Sequence, residues 1–328
     1  MKPGRRLSRR TVLAVSAGLV ASAVANTRLA RAKTRITIVT GGTGGVFYPY
    51  GGGIAKILSE KVPDMQATAQ VTGGSVDNVK LLAQGEAELG FATLDSAWEG
   101  LNGLSAYAKD GKQDIRTVAL LYDSFFHVCA AADAQIGKVA DFKGKRVSVG
   151  SAGSSTESIA DRVLKAAGLD PKADVGRDNL GVGESAGALK DGKIVGFFWT
   201  GGVPTAAVKD LAASGQPKIA FIPTNAELQA IDKEFPGLYR PFTLKAHSYA
   251  GQDQEIVGLG VANVLLVAAN APDDLVRTML EAIFANLDDV KAIHPEARKL
   301  TLAGAAAKTA VPLHPAATAF YRSKGVQL

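Results

Sequence analysis

Arg35-Ile36-Thr37-Ile38-Val39-Thr40-Gly41-Gly42-Thr43-Gly44-Gly45-Val46-Phe47-Tyr48-Pro49-Tyr50-Gly51 is the stretch from which the rest of the chain is read. Its first six residues alternate polar and apolar and are rich in β-branched side chains, the pattern of a strand. The glycines that follow permit a tight turn and a close approach of bare backbone. Ile54, Ile57 and Leu58 then fall on one face of a helix. A strand, a glycine-rich loop and a helix start leave free N–H groups at the positive end of a helix dipole, an anion site made from backbone alone. Thr43, Gly44, Gly45, Val46, Phe47 and Tyr48 are therefore the first candidate ligand-binding residues, with Tyr48 shaping the wall.

The same design recurs along the chain. Residues 66–71 form a second strand ending in Thr72-Gly73-Gly74-Ser75, with Ser75 as N-cap of the helix at 76–83. Residues 87–92 form a third strand, and Asp95 or Ser96 caps a short helix that carries Trp98. In an open parallel sheet, ligands bind beyond the carboxyl ends of the strands. Ser75, Asn78, Thr93, Asp95 and Ser96 are therefore a second candidate cluster. Asp95 suits a ligand amino or hydroxyl group, or an internal hydrogen bond. Residues 115–122 and 125–131 are two consecutive apolar strands, a crossing between lobes. A strand at 146–149 leads into Gly150-Ser151-Ala152-Gly153-Ser154-Ser155-Thr156-Glu157, with Ser154 as helix cap. Ser151, Ala152, Ser154, Ser155 and Thr156 are the matching candidates from the second unit. Residues 173–183 are a linking turn. The strand at 194–199 ends in Trp199, Thr200, Gly201 and Gly202, facing the same cleft, with Pro204 in the first turn of the next helix. Tyr249 and Gln252 rank lower. None of these loops holds an arginine, so N–H and hydroxyl groups are expected to bind the anion without a guanidinium fork.

Residues 1–32 combine a basic start (Arg5, Arg6, Arg9, Arg10), an apolar run and Ala30-Arg31-Ala32, a small-x-small cleavage site. That is a secretory signal peptide cleaved near Ala32, with Arg9-Arg10 also fitting a twin-arginine leader. The leader carries seven basic and no acidic residues, so the formal net charge of +6 falls to −1 in the 296-residue mature chain. The high pI is mostly the leader, so nucleic-acid binding loses its main support and no nucleic-acid partner is expected. Cys129 is the one cysteine, which rules out an intrachain disulfide and a cysteine zinc cluster. Gly42, Gly44 and Phe47 lack the third glycine of a dinucleotide fingerprint, and no Gly-Lys-Ser/Thr phosphate loop occurs. His127, His247, His294 and His314 show no nucleophile or metal spacing. Neither an enzyme, NAD-dependent or other, nor a cofactor nor a metal site is expected.

Strands and helices alternate throughout, the mark of an α/β protein. The chain resembles the TAXI-type solute-binding receptors of TRAP (tripartite ATP-independent periplasmic) transporters. The resemblance spans the mature chain. It is carried by residues 40–49, by Thr72-Gly73-Gly74-Ser75-Val76-Asp77-Asn78, by Leu89-Gly90-Phe91-Ala92, by Gly150 to Ser154, by Leu189 to Gly192 with Gly196 to Gly202, by Tyr249 to Gln252 and by Pro312 to Gly325. It implies a two-lobed periplasmic binding protein fold, type II-like, with the ligand cleft between lobes. The expected lobes are 33–122, 123–245 and a return through 246–328. It also implies a small carboxylate ligand such as glutamate or 2-oxoglutarate, and membrane TRAP permease subunits as partners. A ligand-sensing module for a membrane sensor kinase is the alternative. Where relatives have Gln, a small polar residue and Asp, this chain has Thr93, Leu94 and Asp95. Leu94 in the cleft favours a less polar acid.

Overall fold

The computed structural model describes residues 33–328. The leader assigned to residues 1–32 lies outside the described residues. β1 (Thr34–Val39), α1 (Phe47–Lys61), β2 (Met65–Gln70), α2 (Ser75–Ala83), β3 (Leu89–Thr93) and α3 (Leu94–Asn102) open the first lobe. β4 (Ile115–Ala131) leaves it. β5 (Arg146–Ser148), α4 (Ser155–Ala166), β6 (Gly176–Asp178), α5 (Val182–Lys190), β7 (Gly196–Gly201), α6 (Ala206–Ser214), β8 (Ile219–Phe221) and α7 (Asn225–Glu234) build the second. β9 (Tyr239–Leu244) and β10 (Ile256–Ala268) lead back, and α8 (Asp273–Ala285), α9 (Leu287–Ile293) and α10 (Pro315–Ser323) finish on the first lobe.

The strands run in the order β2-β1-β3-β10-β4-β7-β5-β6, with β8 on β4 and β9 on β10. Within each lobe the strands pair in parallel, β1 with β3 (Ile38 opposite Leu89) and β5 with β6 and β7 (Val147 opposite Gly196). The two long strands join them. β4 pairs antiparallel with β10 from Ile115 to Phe125, then with β7 from Phe125 to Ala130. The expected break between residues 122 and 125 is absent. Asp123 and Ser124 stay paired to Ala262 and Val261, so the crossing is one continuous strand. The expected linking turn at 173–183 holds β6, whose three residues carry no apolar pattern that would announce a strand.

Burial follows the apolar periodicity. Ile54, Ile57 and Leu58 of α1 pack into one core with Ile36, Phe91, Leu280 and Phe320. Gly51 and Gly53 sit inside α1, where glycine costs about 1 kcal/mol against alanine. A Cβ at Gly51 would overlap Thr40, and one at Gly53 would overlap Ile293, so close packing of β1 and α9 against α1 explains both. A second core runs unbroken through the crossing strands, from Leu82 and Val264 to Val163 and Phe198. Cys129 is fully buried, and burial pushes its thiol pKa up, which keeps it inert.

Candidate functional site

Four loop-to-helix junctions meet between the lobes around a cavity of about 340 Å³. The loop after β1 supplies Gly41 to Phe47, and the loop after β2 supplies Val71 to Ser75. From the second lobe come Ser151 with Ser154 to Thr156, Gly181 to Glu184, and Trp199 to Gly201. Tyr122 of β4 closes the floor. α1 is uncapped: Val46 and Phe47 have no acceptor for their N–H groups, and the first bond of the helix is Tyr50 N–H to the Val46 carbonyl at 3.2 Å. In α4, Ser154 Oγ accepts the Glu157 N–H at 3.3 Å, which leaves the Ser155 and Thr156 N–H groups free. In α5, Ser185 N–H reaches the Gly181 carbonyl at 2.8 Å, and Val182 and Gly183 before it are free. Three helix N-termini thus open onto one cavity. Among the described residues that line it, none is Lys or Arg, and the one acid, Glu184, is exposed at the mouth.

The lobes touch directly around this cavity. The Gly153 carbonyl accepts the N–H groups of Val76 at 3.0 Å and Asp77 at 3.1 Å, so the N-terminus of α2 is filled by the opposite lobe. Ser151 Oγ donates to the Gly73 carbonyl at 2.9 Å, and Ser75 Oγ to Ser155 Oγ at 3.3 Å. The Trp199 ring packs on Gly45, and its Nε1 donates to Thr205 Oγ1 at 2.9 Å, which fixes the indole. Glu296 Oε1 accepts the Val203 N–H at 2.8 Å.

Of the expected residues, Thr43 to Phe47, Ser75, Ser151, Ser154 to Thr156 and Trp199 to Gly201 are on the cavity wall. The others are elsewhere. Tyr48 is half-buried off the wall, and Ala152 packs its carbonyl under Gly73. Gly202 is wedged among Glu296, Tyr122 and Val46. Asn78 is wholly buried and ties strand ends together, donating to the carbonyls of Thr40 (2.5 Å) and Phe91 (2.7 Å). Thr93 is buried and donates its N–H to Ser75 Oγ at 3.1 Å. Ser75 is the first residue of α2 and not its cap. Asp95 and Ser96 cap nothing. Ser96 Oγ pairs with the Tyr107 hydroxyl at 2.7 Å. Asp95 Oδ2 accepts from Arg162 at 2.9 Å and from the Tyr239 hydroxyl at 2.7 Å. Leu94 packs into the core beside Ala97 and Val264, so it does not reshape the cavity.

Pro204 lies before α6 and outside its first turn, whose N-cap is Thr205. Tyr249 accepts the Thr205 N–H at 3.0 Å and bonds His127 Nε2 at 2.9 Å, and Gln252 braces its own loop. His294 and His314 cap helical turns through Nδ1, accepting from Glu296 and Ala316. Sequence reading passed over Gly73, Tyr122 and the start of α5 as site residues. Gly181-Val182-Gly183 ahead of the Glu184 to Lys190 pattern was the available signal of a further bare helix start.

Among the described residues, no three His, Cys, Asp or Glu side chains gather as a metal site, and no helix is long and apolar enough to cross a membrane. A family model described as the NMT1-like family matches residues 38–325. Among solved structures the chain is similar to a protein of Bordetella bronchiseptica RB50, with a TM-score of 0.54 and 19% identity over 81% of this chain and 77% of that one. It is similar to a structure described as a periplasmic transporter, at 0.53 and 14% over 88% and 92%. It is also similar to MatC of Rhodopseudomonas palustris with bound malate, at 0.51 and 16% over 86% and 90%. These likenesses show the fold alone, two α/β lobes with a cleft between them.

Proposed function

The chain belongs to the NMT1-like family, and from that premise we propose that it is an exported receptor that captures one small organic anion between its lobes and delivers it to a membrane transporter. The observation that carries this reading is the convergence of three helix N-termini, with free N–H groups, on one cavity that no Lys or Arg lines. Helix N-termini attract anions. A cavity of about 340 Å³ suits a small metabolite. The ligand is a carboxylate, such as glutamate, 2-oxoglutarate or a relative of them. The malate bound by MatC on a similar fold supports that class. The ordered glycine and serine motifs support an ion-gradient-driven TRAP permease as the partner. The receptor works in the periplasm after cleavage near Ala32, with lobes at 33–122 and 123–245 and a return through 246–328.

Binding needs no bond to form or break. The open lobes admit the anion, and the Val46 and Phe47 N–H groups hold it from one side. Closure brings the Ser155, Thr156, Val182 and Gly183 N–H groups from the other. Trp199 on Gly45 and Gly153 on α2 then seal the cavity from water. We expect micromolar or tighter affinity, roughly −8 kcal/mol. The test is a thermal-shift screen of the mature protein against carboxylates, sugars and amines. Native-state binding at a hundredfold excess over Kd adds about 2.7 kcal/mol of apparent stability. A shift with carboxylates alone supports the reading, and a shift only with sugars or amines overturns it.

A further inference from the structure

One peptide unit of the second lobe is held at both of its polar atoms. The Gly202 carbonyl accepts the Thr205 hydroxyl at 2.7 Å, and the Val203 N–H of the same peptide donates to Glu296 Oε1 at 2.8 Å. Thr205 Oγ1 in turn accepts the Trp199 indole N–H at 2.9 Å, and the Thr205 N–H donates to the Tyr249 hydroxyl at 3.0 Å. Hydrogen bonds thus run without a gap from the Trp199 ring on the cavity wall to a carboxylate of the first lobe. Glu296 sits on the turn Pro295–Lys299, between α9 and α10. It is 1% exposed and does not line the cavity. Its two oxygens are divided. Lys299 Nζ lies 2.6 Å from Oε2 and supplies the counter-charge that a buried carboxylate needs, which leaves Oε1 for the other lobe. The Glu296 Cγ, the Tyr122 ring and the Val46 side chain together form a notch that only a glycine fits, since a Cβ at Gly202 would come within 2.6 to 3.1 Å of all three. Val46 and Tyr122 themselves line the cavity.

From this chain of contacts we propose that Glu296 is a positioning residue for ligand capture. It fixes the Gly202–Val203 peptide across the lobe boundary, and through Thr205 it sets the Trp199 ring over Gly45. The inference rests on the reading that the lobes close on a ligand, and it holds whatever the chemical class of that ligand. A carboxylate acceptor makes the Val203 hydrogen bond a charge-assisted one. It also polarises the peptide, so that the Gly202 carbonyl accepts more strongly from Thr205. Loss of the carboxylate therefore loosens the seal and spares the ligand's own contacts. Dissociation should quicken while association holds, because the defect falls on the closed form. Every ligand should lose affinity by the same factor, as expected of a residue that shifts the closed population without touching the ligand.

The test compares Glu296→Ala and Glu296→Gln in the mature protein carrying Trp98→Phe, which leaves Trp199 as the one tryptophan. Glutamine keeps an Oε1 acceptor for Val203, so it should restore what alanine loses. The first readout is hydrogen exchange of the Val203 amide by NMR, ligand-free and again with 2-oxoglutarate, L-glutamate and malate. The second is stopped-flow fluorescence of Trp199 with the same three probes. In the alanine variant, Val203 exchange and probe dissociation should each rise about tenfold, with association unchanged and the loss equal across probes. Equal Val203 exchange in parent and alanine variant overturns the inference, whether or not a probe binds. If no probe binds the parent, the carboxylate reading falls, and the exchange rates still decide this one. Faster exchange with unaltered dissociation makes Glu296 a structural residue only and overturns the inference. So does a loss confined to one probe, which would make Glu296 a ligand contact, and so does a glutamine variant no better than alanine. Thr205→Val cuts the same chain at its other end and should quicken dissociation likewise. An unaltered rate there overturns the inference even if the alanine variant fails to fold.

Discussion

Gly45 has no side chain, and the Trp199 ring lies where one would go, 2.9 Å from an added Cβ. A substitution here therefore acts on lobe closure before it acts on any charge. Gly45→Ala should weaken ligand binding at least tenfold while the melting temperature of the ligand-free protein stays put, because Trp199 can withdraw with its own lobe. Calorimetry beside a thermal melt checks this, and full affinity in the variant would show that the ring and the loop do not seal the cavity. His127 poses a different question at the same scale. It is wholly buried between the Tyr249 hydroxyl at 2.9 Å and the Trp199 carbonyl at 3.2 Å, and burial pulls its pKa from 6.5 down to about 4. The folded state refuses a proton that the unfolded chain accepts. Stability from this residue is full above about pH 6.5, falls as pH drops and levels off below about pH 4, a loss of roughly 3 kcal/mol. His127→Gln should flatten that acid limb, seen as a smaller drop in melting temperature between pH 7 and pH 4.5. Parallel limbs for the two proteins would place the acid sensitivity in other groups.

At the scale of elements, α3 and α4 are bound across the lobes by one guanidinium. Arg162 of α4 bonds Asp95 and Glu99, successive turns of α3, together with the Tyr239 hydroxyl, and stacks 4.3 Å from the Phe235 ring centre. Both carboxylates are almost wholly buried, and burial raises the Glu99 pKa. Arg162→Met leaves two buried carboxylates unpaired, a defect that typically costs 3–5 kcal/mol. A carboxyl with a raised folded-state pKa gives stability at low pH that is lost as pH rises, so the variant should recover on acidification. Urea unfolding at pH 7 and pH 5 measures this, and an equal deficit at both pH values would mean that lost packing dominates. These elements also show what the sequence makes legible. Strand and helix positions follow from alternation and from the i, i+3, i+4 spacing, because burial alone sets them. The Gly/Ser/Thr loops were legible as cavity walls, since bare backbone at helix starts has few other uses. Asn78, Asp95 and Ser96 were not, because a polar residue beside a helix start looks the same whether it meets a ligand, a carbonyl or an arginine 67 residues on. β6 was missed because Gly176-Arg177-Asp178 has no apolar face to read.

The whole molecule is held shut along a seam of small residues. From Arg35 to Leu328 the chain forms one compact unit, in keeping with lobes that are pressed together. At the seam, Gly73 and Gly153 let two backbones meet. A Cβ at Gly73 would strike the Ala152 carbonyl, and one at Gly153 would strike the Asp77 carboxylate. At Gly73 the backbone overlap is with the opposite lobe, and the other near atom, Asp77 Oδ2, is the end of a side chain that can turn away, so a side chain at Gly73 should obstruct closure and leave each lobe folded. Among the described residues β4 and β10 are the long strands shared by both lobes, and the β10 register shifts between Ala262 and Val264, beside the point where β4 changes partner at Phe125. A bulged ladder is locally bent and disrupted, so the hinge of lobe closure is expected there. A closed chain of 296 residues has a radius of gyration of about 19 Å. Small-angle scattering should find the ligand-bound mature protein near that value and the ligand-free protein larger. Gly73→Val should stay at the larger value at every ligand concentration, with native circular dichroism. A variant that compacts like the parent would show that the seam yields, and that closure is governed by the cavity alone.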